Sequence, residues 1–477
     1  MDSKMVTGAR KAPAFLMETG MLLDRLRDLL GADHVLTGAD MAGYGDEFTG
    51  HYHWAPLAVL RPATTEEVSG ILRLASESRT PVVPVSGGTG LNGGHEAQGR
   101  LMISLARMNR IRDFNPAART ISVEAGVILQ TIHENVAREG LMFPLSFGAK
   151  GSAMVGGFLS TNAGGSNVVR YGNARALCLG LEVVMADGAV MNLMTALHKD
   201  NTGYDLRDLM IGAEGTLGVI TAAVLHLVPE PAARATALLA LPGFPQALSL
   251  LNRLQTGTGG AIEAYEYLPD LFFDRMARYK PDWTCPITPA PVNILLEIAT
   301  TVPGDNPQSR LEDLLEAPLE AGDILDAVVA SSEAQRGYLW TMRESAAEVS
   351  LNEDPLVDTD VSLPLDLIEP WLNRMNAEVS RLDPQARMMA IGHLGDGNLH
   401  YTVYPSEKAF VAPIRDAISR EAVIMGGSFS AEHGVGLSKL GSMAKYKDPV
   451  ALRTMRAIKA ALDPLGILNP GKTVPEA

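Results

Sequence analysis

Apolar residues follow two rhythms along this chain, one helical and one of strands. From Met17 to Leu30 they recur every three or four positions, which predicts an amphipathic helix. Thr64-Thr65-Glu66-Glu67 is a capping box, with Thr64 as N-cap and Glu67 three residues on. Val68, Ile71, Leu72 and Ala75 continue at helical spacing, and that helix should end before Pro81. The run PVVPV then reads as a short strand. Farther along, the rhythm shortens to two. LGLEVVMADGAVMNL alternates about Asp187-Gly188, and MMAIGHLGDGNLHYTVY, residues 388–404, about Asp396-Gly397. Asp-Gly between apolar runs is a strong hairpin signal, because the tight turns need positive φ.

The second hairpin carries candidate chemistry. If Asp396-Gly397 is a two-residue turn, His393 and His400 are directly opposed on one face. Their Cβ atoms would then lie roughly 4.5–5.5 Å apart. Ser430-Ala431-Glu432-His433-Gly434 offers a carboxylate after another apolar run. Two imidazoles and one carboxylate with open positions form the layout of a catalytic metal site. A plainer reading fits the same residues: two half-buried strand histidines, with Asp396 needed only for its turn.

Glycine-rich loops separate the short strands. Ser86-Gly87-Gly88-Thr89-Gly90-Leu91-Asn92-Gly93-Gly94 contains G-x-G-x-x-G at Gly88, Gly90 and Gly93. The nicotinamide-type reading needs a helix directly afterwards, whereas HEAQGR and LMISL predict a turn and another strand. The better reading is bare backbone N–H groups wrapping a pyrophosphate, where a Cβ would block the approach. A merely flexible loop is the alternative. Residues 144–167, PLSFGAKGSAMVGGFLSTNAGGSN, and the run from Asp200 through LMIGAEGTLGVIT repeat the pattern. Three such loops imply a large cofactor lying along backbone.

Composition narrows the class. At 477 residues the chain should form two or three domains. A net charge of -15 argues against nucleic-acid and anionic-membrane partners. Cys178 and Cys285 cannot build an iron–sulfur cluster or a disulfide framework, and they fit a reducing compartment. No apolar run reaches the roughly 18 residues of a membrane span. The N-terminal MDSKMVTGARKAPAF lacks the apolar core of a signal peptide. The expected location is the cytoplasm, or the mitochondrial matrix in a eukaryote. His51 and His53 fall in a polar segment and read as loop residues.

Several pieces occur in order across residues 55–472: PVSGGTGLNGG, GAKGSAMVGGFLSTNAGG, RYGNAR, LGLEVVMADG, DNTGYDLRDLMIGAEGTLGVIT, GHLGDGNLH, SAEHGVG and LNPGK. Together they resemble the FAD-dependent D-2-hydroxyacid dehydrogenases of the vanillyl-alcohol-oxidase-type superfamily. That family includes D-lactate and D-2-hydroxyglutarate dehydrogenases and the glycolate oxidase flavin subunit. The resemblance implies an α+β protein: a two-subdomain FAD-binding fold plus an α+β cap domain with an antiparallel sheet. The implied bounds are an N-terminal segment 1–54, an FAD domain 55–230, a cap domain 231–425, and a return to the FAD domain over 426–477.

It also implies roles for single residues. Ser86, Gly87, Gly88, Thr89, Gly90 and Asn92 would hold the pyrophosphate, and Ser152, Gly156, Gly157, Thr161, Asn162 and Gly165 the second FAD loop. Gly218 and Ile220 would meet the adenosine end, and Asn469 the isoalloxazine. Relatives with covalent flavin can carry His where Thr89 stands, so non-covalent FAD is expected. His393, His400 and Glu432 become ligands of a divalent metal, Zn or alternatively Mn; His433 becomes the base and Arg343 the cation for the substrate carboxylate. Implied partners are a small D-2-hydroxy acid, a non-oxygen electron acceptor (electron-transferring flavoprotein, quinone or cytochrome) and a second copy in a homodimer. A non-catalytic flavoprotein subunit is the competing class, and the intact His393, His400, Glu432, His433 and Arg343 favour the enzyme.

Departures bear on the substrate. Hydroxyglutarate enzymes resemble this segment but carry Lys at the place of Asp358, a hydroxyl residue at Ala347 and Asn at Thr402. An Asp358 carboxylate about 4 Å from a distal substrate carboxylate would cost on the order of 4 kcal/mol at an effective dielectric near 20. The expectation is therefore a D-lactate-like monocarboxylate, with D-2-hydroxyglutarate or D-malate as the alternative.

Overall fold

The structure is a computed structural model that describes residues 12–47 and 50–476. The reading of the first eleven residues as lacking a leader lies outside the described residues. The expected first helix spans Ala12–Leu30. The capping box is present: Thr64 Oγ1 accepts from Glu67 N at 3.2 Å, and the Glu67 carboxylate returns to Ala63 N at 2.6 Å, one residue before the N-cap. Helix Thr65–Ser78 buries Val68, Ile71, Leu72 and Ala75 and ends at Arg79 in the left-handed region.

That helix connects two strands of a four-stranded sheet, ordered Val35–Leu36, Ala58–Leu60, Leu101–Ser104, Val82–Val85, the last three parallel. The glycine-rich stretch 86–94 leaves Val82–Val85 and reaches Leu101–Ser104 with no intervening helix, as expected. A five-stranded antiparallel sheet follows, ordered Ile111–Asn115, Thr120–Glu124, Val219–His226, Cys178–Val184, Val190–Leu193. The Asp187-Gly188 hairpin joins its last two strands, with Gly188 at φ +83°.

Besides a two-stranded pair of Leu141–Met142 with Val228–Pro229, a further sheet has seven strands, all antiparallel: Asp326–Val329, Ala233–Leu241, Val292–Thr300, Ile262–Leu268, Arg387–His393, Asn398–Tyr404, Val357–Ser362. Ala233–Leu241 and Val292–Thr300 are nearly continuous apolar runs, as strands covered on both faces should be. One face packs helices Phe244–Thr258, Pro307–Glu320, Ile368–Leu382 and Val411–Ile424. The other packs Asp270–Tyr279 and Glu333–Glu344 through Phe272, Met276, Leu339 and Met342. No helix among the described residues is long and apolar enough to cross a membrane.

The hairpin at Asp396-Gly397 differs from its expected form. The strands end at His393 and Asn398, which face each other, so the connection is the four residues 394–397. His400 therefore faces Ile391, not His393. Asp396 N and Gly397 N both donate to the His393 carbonyl, at 3.2 and 3.1 Å, and Gly397 takes φ +85°. The register slips by two, and an even slip leaves both histidines on the same face. They meet as diagonal neighbours instead, with ring centroids 5.5 Å apart.

Candidate active site

Four adjacent strands bring a row of polar side chains together on the face that carries helix Glu333–Glu344. Glu266 faces His393 across one strand pair, and His400 faces Asp360 across another. Glu266 and Asp360 are wholly buried. Glu266 accepts from His393 Nδ1 at 2.8 Å and from Arg343 Nε at 2.8 Å. This fixes the histidine tautomer and leaves Nε2 pointing at Glu432, 3.8 Å from Oε1. His400 Nε2 lies 3.9 Å from the other Glu432 oxygen. Ligand atoms of His393, His400 and Glu432 all fall within 4.8 Å of one another. The donor set, two imidazoles and a carboxylate with open sides, therefore fits a divalent cation.

Electrostatics agree with that use. Burial, then the neighbouring His393 and His433, push His400 well below the ordinary imidazole range, so it stands neutral. Burial also opposes charge on His393, but Glu266 and then Glu432 outweigh it and hold the imidazole at about 9. A cation binding there must displace that proton.

Glu432 and His433 arrive on a loop held by Asp360. Asp360 Oδ2 accepts the N–H groups of Ala431, Glu432 and His433 at 3.0, 2.7 and 2.8 Å. Its Oδ1 binds the buried ammonium of Lys439 and lies 3.4 Å from His433 Nδ1. Burial alone would raise this carboxyl; His433, Lys439 and the backbone donors reverse that and hold it well below the usual carboxylate range. His433 stacks beside His400 with centroids 5.7 Å apart.

A single cavity of about 810 Å³ joins this cluster to the glycine loops. Ser86, Gly87, Gly88, Thr89 and Gly90 line one part, and Gly156, Gly157, Thr161 and Gly165 another. Gly218, Ile220, Arg343, His393, His400, Glu432 and His433 also border it. Gly88 has φ +65°, and a Cβ on it would meet nothing closer than His95 at 4.0 Å, so it would enter the open space. A Cβ on Gly87 would lie 2.3 Å from Ser152 O, and one on Gly165 2.0 Å from Ser146 O. The bare backbone forms a cradle, and it fits a long cofactor with a pyrophosphate.

Four sequence-derived residues do not border the cavity. Asn92 turns its amide to the carbonyls of His433 and Gly434, at 2.9 and 2.8 Å. Ser152 backs Gly87 through its carbonyl. Asn162 Oδ1 accepts from Arg175 N at 2.9 Å. Asn469 donates to Gly94 O and Glu214 O, at 3.0 and 2.8 Å. Asp358 is also absent from the lining: it accepts from Thr402 Oγ1 at 3.1 Å, and burial pushes its carboxyl up toward the neutral form. The argument that its charge repels a second substrate carboxylate therefore loses its premise. Sequence reasoning missed Glu266, although a Glu inside the apolar-aromatic run IEAYEYL signals a buried acid that needs partners. It also missed the anchoring roles of Asp360 and Glu214.

Comparison with known proteins bears on what the cavity holds. A family model described as an FAD binding domain matches residues 56–194, and one described as the C-terminal domain of FAD linked oxidases matches residues 230–473. The chain is similar to the mitochondrial D-2-hydroxyglutarate dehydrogenase of Bos taurus, 39% identical over 423 residues, 87% of this chain and 76% of that one. It is 36% identical to the D-2-hydroxyglutarate dehydrogenase of Xanthomonas citri pv. viticola, over 91% of this chain and 92% of that one. The corresponding enzyme of Stutzerimonas stutzeri is 33% identical, over 94% and 98%. Among solved structures, p-cresol methylhydroxylase with substrate bound superimposes with TM-score 0.72 at 18% identity, over 96% of this chain and 97% of that one. Alkyldihydroxyacetonephosphate synthase gives 0.69 at 17%, over 98% and 86%. These distant likenesses establish the fold, a vanillyl-alcohol-oxidase-type FAD-binding architecture within an α+β chain. With the two family models and the curated relatives, they make this chain a member of the FAD-dependent D-2-hydroxyacid dehydrogenase family of oxidoreductases.

Proposed function

We propose that the protein oxidises a D-2-hydroxy acid to the 2-oxo acid with a divalent metal at His393, His400 and Glu432. The observation that carries this reading is the convergence of that ligand set, the His433 imidazole and the Arg343 guanidinium on the cavity of the glycine loops. When bound, FAD supplies the hydride acceptor, and the cation supplies Lewis-acid polarisation of the substrate hydroxyl. Arg343 binds the C1 carboxylate; Glu266 takes its Nε and Nη2 and so fixes the plane of the guanidinium. His433 accepts the hydroxyl proton at Nε2, its Nδ1 facing Asp360. Ser86 to Gly90 and the second loop hold FAD without a covalent bond, Thr89 offering no imidazole. The reading includes a partner that would take the electrons, an acceptor other than oxygen such as an electron-transferring flavoprotein, a quinone or a cytochrome.

The metal reading has its own test. Chelation is expected to abolish turnover, and Zn or Mn to restore it. His393→Ala should lose the metal and keep FAD, because the glycine loops are untouched. Elemental analysis showing no metal in a fully active sample ends this reading.

The preferred tail is neutral or apolar, as in D-lactate or D-2-hydroxybutyrate. Every Lys or Arg that lines the cavity already faces a carboxylate: Lys150 with Glu344, Arg234 with Glu230 and Glu263, Arg336 with Glu297, and Arg343 with Glu266. Arg343 is taken by the C1 carboxylate, so a second substrate carboxylate would have to compete with the acids already facing Lys150, Arg234 or Arg336. Ala347, at the cavity wall, adds no hydroxyl donor. The second reading, D-2-hydroxyglutarate, is favoured by the names of the relatives. Anaerobic mixing with a panel of D-2-hydroxy acids should bleach the flavin, and kcat/KM for D-lactate should exceed that for D-2-hydroxyglutarate and D-malate. A tenfold advantage for either dicarboxylate establishes the second reading. No bleaching with any acid sinks both.

A further inference from the structure

Segment 431–436 carries Glu432 and His433 but has no helix or strand of its own. It is strung between the two halves of the molecule. On the side of the seven-stranded sheet, Asp360 holds its first three N–H groups. On the other side, two residues of the glycine-loop half hold the rest. Asn92 Nδ2 donates to the His433 and Gly434 carbonyls, its Oδ1 accepts from Ser438 Oγ at 2.8 Å, and its carbonyl accepts from Leu437 N at 2.7 Å. The Glu214 carboxylate accepts from Val435 N and Gly436 N, both at 2.8 Å.

Both residues are also tied to the cofactor seat. Asn92 lies two residues beyond Gly90, with the cavity-lining Leu91 between them. Glu214 N donates to the carbonyl of Ser160, which lines the cavity beside Thr161, at 2.9 Å. Glu214 sits at φ +52°, a conformation a non-glycine residue keeps only where its surroundings over-determine it. The backbones pack closely: a Cβ on Gly436 would lie 2.2 Å from the backbone oxygen of Asn92, and the Glu432 carboxylate sits against Gly164. A shift of either glycine loop therefore displaces Glu432 and His433.

We propose that Asn92 and Glu214 are positioning residues that couple the flavin seat to the metal-and-base loop. Flavin binding then tightens metal binding, and metal binding tightens flavin by the same factor, as linkage requires. This rests on the FAD and metal assignments above. The FAD dissociation constant is measured by flavin fluorescence in zinc-loaded and chelator-stripped enzyme, and zinc affinity of the holoenzyme by chelator competition. In the wild type, stripping should weaken FAD by about 5–150-fold, the usual range of such couplings. In Asn92→Ala and in Glu214→Gln the ratio should fall close to one. Ser438→Ala, which removes a single hydrogen bond to Asn92, serves if those variants fail to fold, and it should lower the ratio partway. A ratio of one in zinc-binding wild type overturns the coupling. An undiminished ratio in the variants overturns the roles of Asn92 and Glu214. If His393→Ala binds zinc as tightly as wild type, the metal assignment itself has failed, and the coupling falls with it.

Discussion

His433→Gln is expected to lower kcat by roughly 10²–10⁴-fold, the usual contribution of a positioned general base. Flavin and metal should stay. The backbone N–H of residue 433 still donates to Asp360, so the loop keeps its place and Glu432 still meets His393 and His400. Glutamine fills similar space and can hydrogen-bond to Asp360, but it cannot accept a proton. The loss should therefore appear in kcat more than in KM, because Arg343, which grips the carboxylate, is unchanged. Steady-state kinetics with flavin absorbance and metal analysis on the same sample decide the matter. A variant that keeps both cofactors and full kcat removes His433 from the mechanism.

Asp360→Asn should be the most destabilising single change at the site, by about 3–5 kcal/mol, the range for breaking a buried ion pair. The carboxylate meets three backbone donors on one oxygen and the Lys439 ammonium on the other. An amide must turn its NH₂ toward one of these donor sets, leaving donor against donor in a buried place. Denaturant midpoints of wild type and variant measure the gap. Its pH dependence has a definite sign. The folded carboxyl lies below its usual range, whereas an unfolded Asp titrates near 3.9. The stabilisation is then fully present above about pH 4 and is lost as pH falls through the folded value. The gap between wild type and variant should be constant from neutrality to about pH 5 and narrow only under stronger acid. A gap already closing at pH 6 would show that Asp360 is not held as the charged form.

What the sequence by itself determined is mostly local. The Thr64 cap, the strand–glycine–strand order around residues 86–94 and the Asp-Gly turns are written in neighbouring residues, where backbone conformation and hydrogen bonding need no distant partner. The alternation of 388–404 also placed His393 and His400 on one face, and an even register slip preserved that. Loop length was not local. Gly395 packs against Val169 and Tyr265, and the hairpin opens to four residues where those distant side chains meet it. The tertiary structure alone decided which acids serve the histidines. Glu266 lies 127 residues before His393, and Asp360 lies 73 before His433. Strand order in the seven-stranded sheet sets Glu266 beside His393, whereas His433 reaches Asp360 on a loop outside the sheet, held there by its backbone N–H groups. The tertiary structure also turned Asn92 away from the cofactor seat and Asp358 away from the cavity, because buried polar side chains go where their hydrogen bonds can be completed, and those partners lie 341 residues away for Asn92 and 44 for Asp358.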